Sequence, residues 1–88
     1  MRRPGDWMQL PTDERILETL ESSGLILSPA VIAKNIDRSR HEVNRRLTAL
    51  VDYGLVEREE RGYYIISETG QQYLAGEFDA STLDEDEK

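Results

Sequence analysis

Apolar residues between positions 28 and 55 recur with the spacing of two short helices. Ser28 followed by Pro29 predicts a helix start, because serine caps helix N-termini and proline at the first helical position gives up only an amide without an intrahelical partner. Ile32 and Ile36 then lie one turn apart on one face, with Ala33 beside them. The polar residues 35–38 interrupt this rhythm, so a turn is expected there.

A second helix is predicted from Ser39, where Glu42 three residues later completes a capping box. Gly54 is expected to end it, since glycine adopts the left-handed conformation at little cost. Spacings of four and three define one buried stripe, formed by Val43, Leu47 and Leu50. Polar and cationic residues occupy the other face: Arg40, His41, Asn44, Arg45 and Thr48. Two short helices joined by a tight turn indicate a helix-turn-helix, although a helical hairpin with a solvated basic face would give the same pattern.

The segment before this motif predicts one helix and one short strand. Thr12 or Asp13 is expected to cap a first helix that runs to about Ser22 and stops at Gly24. Its buried stripe consists of Ile16, Leu17 and Leu20. The β-prone run at residues 25–27 is too short to stand alone and therefore needs a partner strand.

The segment after Gly54 predicts a β-hairpin and a final helix. Two β-forming runs, residues 55–59 and 63–66, flank a turn at residues 60–62. The inner face of this hairpin is expected to hold Val56, Tyr64 and Ile66. Ser67 is expected to cap a helix over about 68–76, in which Gly70 allows close packing.

The resulting order of elements is that of a winged helix-turn-helix. We expect an α+β, mainly helical fold with a three-helix core, a short strand plus a two-stranded wing, and an additional C-terminal helix. Residues 1–10 would form an N-terminal arm and 11–78 the domain. Residues 79–88 would form an acidic, disordered tail.

A negative net charge would oppose binding to nucleic acid, but most of this charge lies in the last twelve residues. The chain carries −7, but residues 77–88 hold six acidic residues against Lys88, so that segment carries −5 and residues 1–76 only −2. Residues 37–46 hold four arginines against two acids, a local +2. Lysine is scarce, as only Lys34 and Lys88 occur. Low lysine with abundant Asp and Glu resembles the proteins of salt-accumulating halophilic archaea, with an ordinary acidic bacterial protein as the alternative.

Composition argues against several other functions. The chain has no cysteine and a single histidine, which disfavours disulfides, metal clusters and nucleophilic catalysis. Adjacent acids such as Glu59 and Glu60 suit a solvated turn better than acid–base chemistry. No enzyme activity, cofactor or small-molecule effector is therefore expected. No apolar run reaches membrane-spanning length and no signal peptide is evident, so a cytoplasmic location is predicted.

Three segments, residues 7–21, 28–58 and 62–77, resemble small haloarchaeal winged-helix proteins akin to the repressor of the halophage phi-H. The motif A-x-x-I-D-x-S-R-x-x-V-x-R-R-L, which starts at Ala33, is the most distinctive part. The resemblance covers about residues 7–78. It implies sequence-specific binding of double-stranded DNA, repressor-like regulation of transcription and a homodimer.

This hypothesis assigns the helix at about 39–53 to the major groove and the wing at about 55–66 to the backbone or minor groove. The candidate DNA-binding residues are Arg38, Ser39, Arg40, His41, Asn44, Arg45, Thr48, Arg58 and Arg61. Arg46 lies nearer the buried stripe and is expected to pair with an acidic neighbour. The candidate dimer interface consists of Trp7, Tyr73, Leu74 and Phe78, which could equally close the core of the monomer. The main alternative is an acidic winged-helix module that binds proteins without binding DNA.

Overall fold

Three helices, a hairpin and a fourth helix follow one another in the predicted order. The computed structural model describes residues 1–83. Its helices are α1 (Thr12–Ser23), α2 (Pro29–Ile36), α3 (Arg40–Asp52) and α4 (Glu68–Leu74). Its strands are β1 (Val56–Arg58) and β2 (Tyr64–Ile66). The fold is therefore the predicted winged helix, mostly helical with an antiparallel two-stranded hairpin. None of the described helices combines the length and apolarity needed to cross a membrane.

Serine side chains cap three of the four helices, as the sequence predicted. Ser28 accepts a hydrogen bond from the amide of Val31, Ser39 from that of Glu42, and Ser67 from that of Gly70. Each bond satisfies a helical donor that has no partner within its own helix. These three residues thereby fix where α2, α3 and α4 begin.

The predicted cap of α1 is wrong. The helix begins at Thr12, directly after Pro11, and no side chain caps it. Thr12 and Asp13 lie inside the first turn and are both buried. The Asp13 carboxylate accepts from the amide of Gln9 at 3.0 Å and is also bound by Arg46, so tertiary contacts decide its position.

The turn between α2 and α3 reverses direction at one residue. Asp37 adopts φ 60° and ψ 47°, the left-handed conformation, and its amide donates to the carbonyl of Ala33. Aspartate tolerates this region better than most side chains. Because Ser39 caps α3 only two residues later, the two helices of the motif are held at a tight, defined corner.

The hairpin presents its apolar face to the helices. Val56 pairs with Ile66 and Arg58 with Tyr64, so Val56, Tyr64 and Ile66 are buried on one face, as predicted. The strand predicted at residues 25–27 shrinks to a single bridge. Leu27 exchanges two 2.9 Å hydrogen bonds with Tyr64, whereas Leu25 and Ile26 are 61% and 48% exposed.

The core lies where α1, α2 and α3 meet the hairpin. The predicted stripes of all three helices are buried, together with Leu55 and Tyr73. Gly70 sits against the Leu55 carbonyl and 2.7 Å from Ile66 Cγ1, as measured from the position that a Cβ would take. The predicted close approach at Gly70 is therefore confirmed, because no side chain fits there.

The disordered tail predicted from Asp79 is wrong for residues 79–83. Asp79 forms an isolated parallel β-bridge with Arg3 through the backbone. The amide of Ala80 donates to the Arg3 carbonyl at 2.8 Å, and Ala80 is fully buried. A short 3₁₀ helix, Ala80–Thr82, follows. Hydrogen bonds from the Ser81 hydroxyl and amide lower the pKa of Asp79. The remainder of the predicted tail, residues 84–88, lies outside the described residues.

Candidate nucleic-acid interface

The polar face of α3 points away from the core. Val43, Leu47 and Leu50 are completely buried on its inner side, which fixes how the helix is rotated. All nine residues predicted to bind DNA are exposed, and we call them the recognition surface: Arg38, Ser39, Arg40, His41, Asn44, Arg45, Thr48, Arg58 and Arg61. The first seven lie on α3 or directly before it, and the last two on the wing.

The cations of the recognition surface have no acidic partner within residues 1–83. The ion pairs in that part of the chain use only Arg2, which contacts Glu14 and Glu18, and Arg46, which contacts Asp13. The two arginines that form ion pairs within the described residues, Arg2 and Arg46, are therefore not members of the recognition surface. The exposed guanidinium groups retain their donors for an external anion.

Two polar side chains of the recognition surface are already engaged locally. The Ser39 hydroxyl accepts from the Glu42 amide at 3.0 Å, and the Thr48 hydroxyl donates to the Asn44 carbonyl at 3.1 Å. The Asn44 amide group and the guanidinium groups of Arg40 and Arg45 have no such bond in the described structure. These three side chains retain their donors for an external partner.

The wing contributes two arginines, one that contacts an aromatic ring and one that is exposed in the turn. The Arg58 guanidinium carbon lies 5.5 Å from the centre of the Tyr64 ring, a cation–π distance that restrains the side chain. Arg61 is exposed in the turn, next to Gly62 at φ 79°. Glu59 and Glu60 are exposed between them, so the wing tip presents no net positive charge.

Arg46 points into the protein, whereas its neighbour Arg45 is exposed. Its Nε donates to Asp13 Oδ1 and one terminal nitrogen to Asp13 Oδ2, both at 2.9 Å. The same terminal nitrogen donates to the Trp7 carbonyl at 3.2 Å. The hydrogen bond with Asp13 raises the pKa of Arg46. The predicted pairing of Arg46 with an acidic residue is confirmed, although the sequence did not identify Asp13 as that residue.

The four residues predicted for a dimer interface all make contacts within the monomer. The Trp7 ring stacks on Tyr53, with centroids 3.9 Å apart and planes inclined by 8°. Tyr73 is fully buried and donates to Glu14 at 2.6 Å, so it presents no surface to a second subunit. Leu74 and Phe78 are half-buried against the core. The interface remains a prediction that depends on the remaining exposed parts of Trp7, Leu74 and Phe78.

Sequence reasoning missed the role of Tyr53. It is the C-terminal cap residue of α3, and its ring stacks on the ring of Trp7. The sequence shows an aromatic residue directly before the helix-ending Gly54, but nothing in the spacing linked it to a tryptophan 46 positions earlier. Within residues 1–83 no group of three or more His, Cys, Asp or Glu side chains is placed to hold a metal ion.

The chain is similar to known proteins of one family. The family model described as winged helix-turn-helix phage repressor matches residues 1–86. The repressor protein of Halobacterium phage phiH is 38% identical over 88 residues, which covers 96% of this chain and 98% of that protein. The crystal structure of the PhiH1 repressor-like protein from Haloarcula marismortui superposes with a TM-score of 0.82 at 38% identity, over 93% of both chains. The chain belongs to the winged helix-turn-helix phage repressor family.

Proposed function

We propose that this protein binds double-stranded DNA sequence-specifically and regulates transcription as a repressor-like factor. The observation that carries this proposal is the recognition surface, whose cations are exposed and free of acidic partners within residues 1–83. The names of the two relatives, a repressor and a repressor-like protein, support the same function.

Helix α3 enters the major groove in this proposal. Arg40, Asn44 and Thr48 follow at intervals of four residues and form one row along the helix, and His41 and Arg45 form the next. Arginine suits guanine edges and asparagine suits adenine edges, each bidentate pair supplying about 1–3 kcal/mol of discrimination. Arg40, Asn44 and Arg45 are therefore assigned to bases, and His41 and Thr48 to bases or phosphates.

The remaining members of the recognition surface position the protein on the DNA. Arg38 and Ser39 lie at the start of α3, where phosphate contacts set the register of the helix. Arg58 and Arg61 contact the backbone or minor groove from the wing. Since the wing tip also carries Glu59 and Glu60, the wing acts through these two close contacts rather than through a broad positive field.

High salt shapes how such a protein would work. Both relatives come from halophilic systems, and the low-lysine, acidic composition fits a concentrated-salt cytoplasm. Releasing counterions at about four phosphates would cost roughly four to five decades of affinity between about 0.1 M and about 2 M salt. The Debye length at 1 M is about 3 Å, so distant charges contribute almost nothing. Short-range base contacts and a homodimer that binds two half-sites would supply the lost affinity.

Selection of bound sequences from random DNA in 2 M KCl tests the proposal. We expect a palindromic consensus, whose symmetry would also demonstrate dimeric binding. The double variant Arg40→Ala/Arg45→Ala should lose this selection. Arg15→Ala is the matched control, because Arg15 is an exposed arginine on α1 outside the recognition surface.

The outcome also separates DNA binding from the protein-interaction alternative. If no sequence is enriched at any salt concentration and Arg40→Ala/Arg45→Ala behaves as Arg15→Ala does, the proposal is wrong. A protein partner that is lost with the same double variant would then favour the acidic winged-helix module.

A further inference from the structure

We propose that Trp7 is a positioning residue that sets the pose of the DNA-binding helix α3, beside the buried Asp13–Arg46 ion pair. The inference deepens the proposed function and rests on it. It starts from two contacts that tie the N-terminal arm and the start of α1 to the same side of α3. Neither contact lies on the recognition surface.

The first contact holds the middle of α3. The Arg46 guanidinium is bound by both carboxylate oxygens of Asp13 at 2.9 Å and by the Trp7 carbonyl at 3.2 Å. Asp13 is completely buried, and its Oδ2 also accepts from the Gln9 amide at 3.0 Å. A bidentate pair fixes direction as well as distance, so this contact constrains the rotation of α3 about its axis.

The second contact holds the end of α3. The Trp7 ring stacks on Tyr53 at 3.9 Å, and its indole N–H donates to the Ala80 carbonyl at 3.3 Å. The ring is closely seated, since a Cβ on Gly5 would lie 2.6 Å from the indole nitrogen. The same residue therefore contacts α3 through its carbonyl at Arg46 and through its ring at Tyr53.

The spacing of the two contacts explains why they act together. Arg46 and Tyr53 are seven residues apart, which is nearly two turns, or about 10 Å along the axis and about 20° around it. Two anchors at that separation on one face define both the rotation and the tilt of a helix. Asn44 and Thr48 lie about 160° around the helix from Arg46, directly opposite the anchors.

A small rotation of α3 would displace its exposed side chains relative to the DNA bases. Rotating α3 by about 20° moves side-chain atoms about 6 Å from the axis by about 2 Å. Hydrogen bonds require donor–acceptor distances within a few tenths of an ångström of 2.9 Å, so such a shift breaks a bidentate base contact. Loss of the anchors should therefore reduce discrimination between sequences more than it reduces general affinity for phosphates.

The test compares Trp7→Leu and Tyr53→Leu with a matched control, Leu27→Ala. The first two remove the stacked pair from either side while keeping an apolar side chain, and the third removes a half-buried apolar side chain that precedes α2 and lies outside the candidate dimer interface. Affinity for the selected sequence and for random DNA is measured in 2 M KCl, at a temperature where every variant is folded. We expect the ratio of the two affinities to fall about tenfold in both anchor variants, the discrimination of one base contact, and to stay within about twofold in Leu27→Ala.

Amide chemical shifts of the free proteins give a second readout that needs no DNA. The anchor variants should displace the amides of Asn44, Arg45 and Thr48, and Leu27→Ala should not. Selective wild-type binding with an unchanged ratio in both anchor variants, or equal loss in Leu27→Ala, would overturn the positioning role alone. Absence of selective binding by the wild-type protein would overturn the proposed function, and the positioning role with it.

Discussion

Asp13 and Arg46 form a buried bidentate ion pair that joins α1 to α3, whereas Arg45, the next residue along, is exposed and unpaired within residues 1–83. Two adjacent arginines thus have opposite roles, because helical geometry turns them about 100° apart. Salt screens exposed charges strongly but buried pairs much less. The Asp13–Arg46 pair should therefore hold α1 to α3 over a wide range of salt concentrations.

Removal of one partner of this pair should be costly. Asp13→Ala leaves the Arg46 guanidinium buried without its counter-charge, and we expect a loss of about 3–5 kcal/mol of unfolding free energy. Asp13→Leu combined with Arg46→Met should recover part of that loss, since apolar residues of similar size carry no uncompensated charge. Denaturant unfolding at 0.5 M and 3 M KCl measures both effects.

The control for this prediction is the exposed pair between Arg2 and Glu18, with a 2.6 Å contact. Glu18→Gln should cost at most about 1 kcal/mol, and the cost should shrink at high salt. If Asp13→Ala cost no more than Glu18→Gln, the buried pair would not be a principal link between the helices.

Asn44 and Arg38 should differ in what they contribute to DNA binding. Asn44→Ala should reduce affinity for the selected sequence by about 1–3 kcal/mol and relax preference at one base position. Arg38→Ala should weaken binding equally across sequences and reduce the salt slope by about 0.9. Titrations of several sequences over a range of KCl concentrations distinguish the two. Identical sequence profiles for both variants would contradict the assignment of Asn44 to a base edge.

Local signals explain what could be predicted from the sequence. Ser28, Ser39 and Ser67 cap helices through bonds to residues three positions ahead, and such short-range chemistry is visible in the sequence. The buried stripes were equally visible, because helical periodicity depends only on neighbours. The exposed positions of the five α3 residues in the recognition surface followed from the same periodicity.

Long-range contacts explain what was missed. Asp13 looked like a cap, but its partner is 33 residues away, and Ala80 looked like part of a solvated tail, although Arg3 and Trp7 cover it. The strand predicted at residues 25–27 is reduced to one bridge, because of its three residues only Leu27 pairs with the hairpin. Contacts between the two ends of a chain leave no periodic pattern, so neither arm nor tail could be placed from spacing.

The left-handed residue of the helix-turn-helix corner should tolerate only certain side chains. Asp37 adopts φ 60°, where a β-branched residue is strained by about 1–2 kcal/mol. Asp37→Val should therefore lower the unfolding free energy by about that amount, and Asp37→Gly should change it by less than about 1 kcal/mol. Lys34→Val, at an exposed position in α2, is the control and should cost only about 0.5 kcal/mol of helix propensity. Equal losses in Asp37→Val and Lys34→Val would argue against a backbone requirement at the corner.

Tyr73 should make stability fall in alkaline solution. Burial and then the hydrogen bond to Glu14 raise the pKa of its phenol in the folded protein above the ordinary value of 10. A raised pKa means that the folded state holds the proton more tightly than the unfolded state. The stabilisation is thus complete below pH 10 and is lost as the pH rises above it. Unfolding curves between pH 8 and pH 11 should show this decline, and Tyr73→Phe should remove most of it. An equal decline in Tyr73→Phe would assign the effect to other groups.

Gly70 should be the glycine least tolerant of a side chain. A Cβ there would overlap the Leu55 carbonyl oxygen and lie 2.7 Å from Ile66 Cγ1, and the first of these is backbone that cannot rotate away. Gly70→Ala should therefore force α4 away from the start of β1 and lower the unfolding free energy by about 1–3 kcal/mol, despite the better helix propensity of alanine. Gln71→Ala, one position along the same helix and exposed, should change stability by less than about 0.5 kcal/mol. A Gly70→Ala protein as stable as Gln71→Ala would show that α4 is not packed directly on the Leu55 backbone.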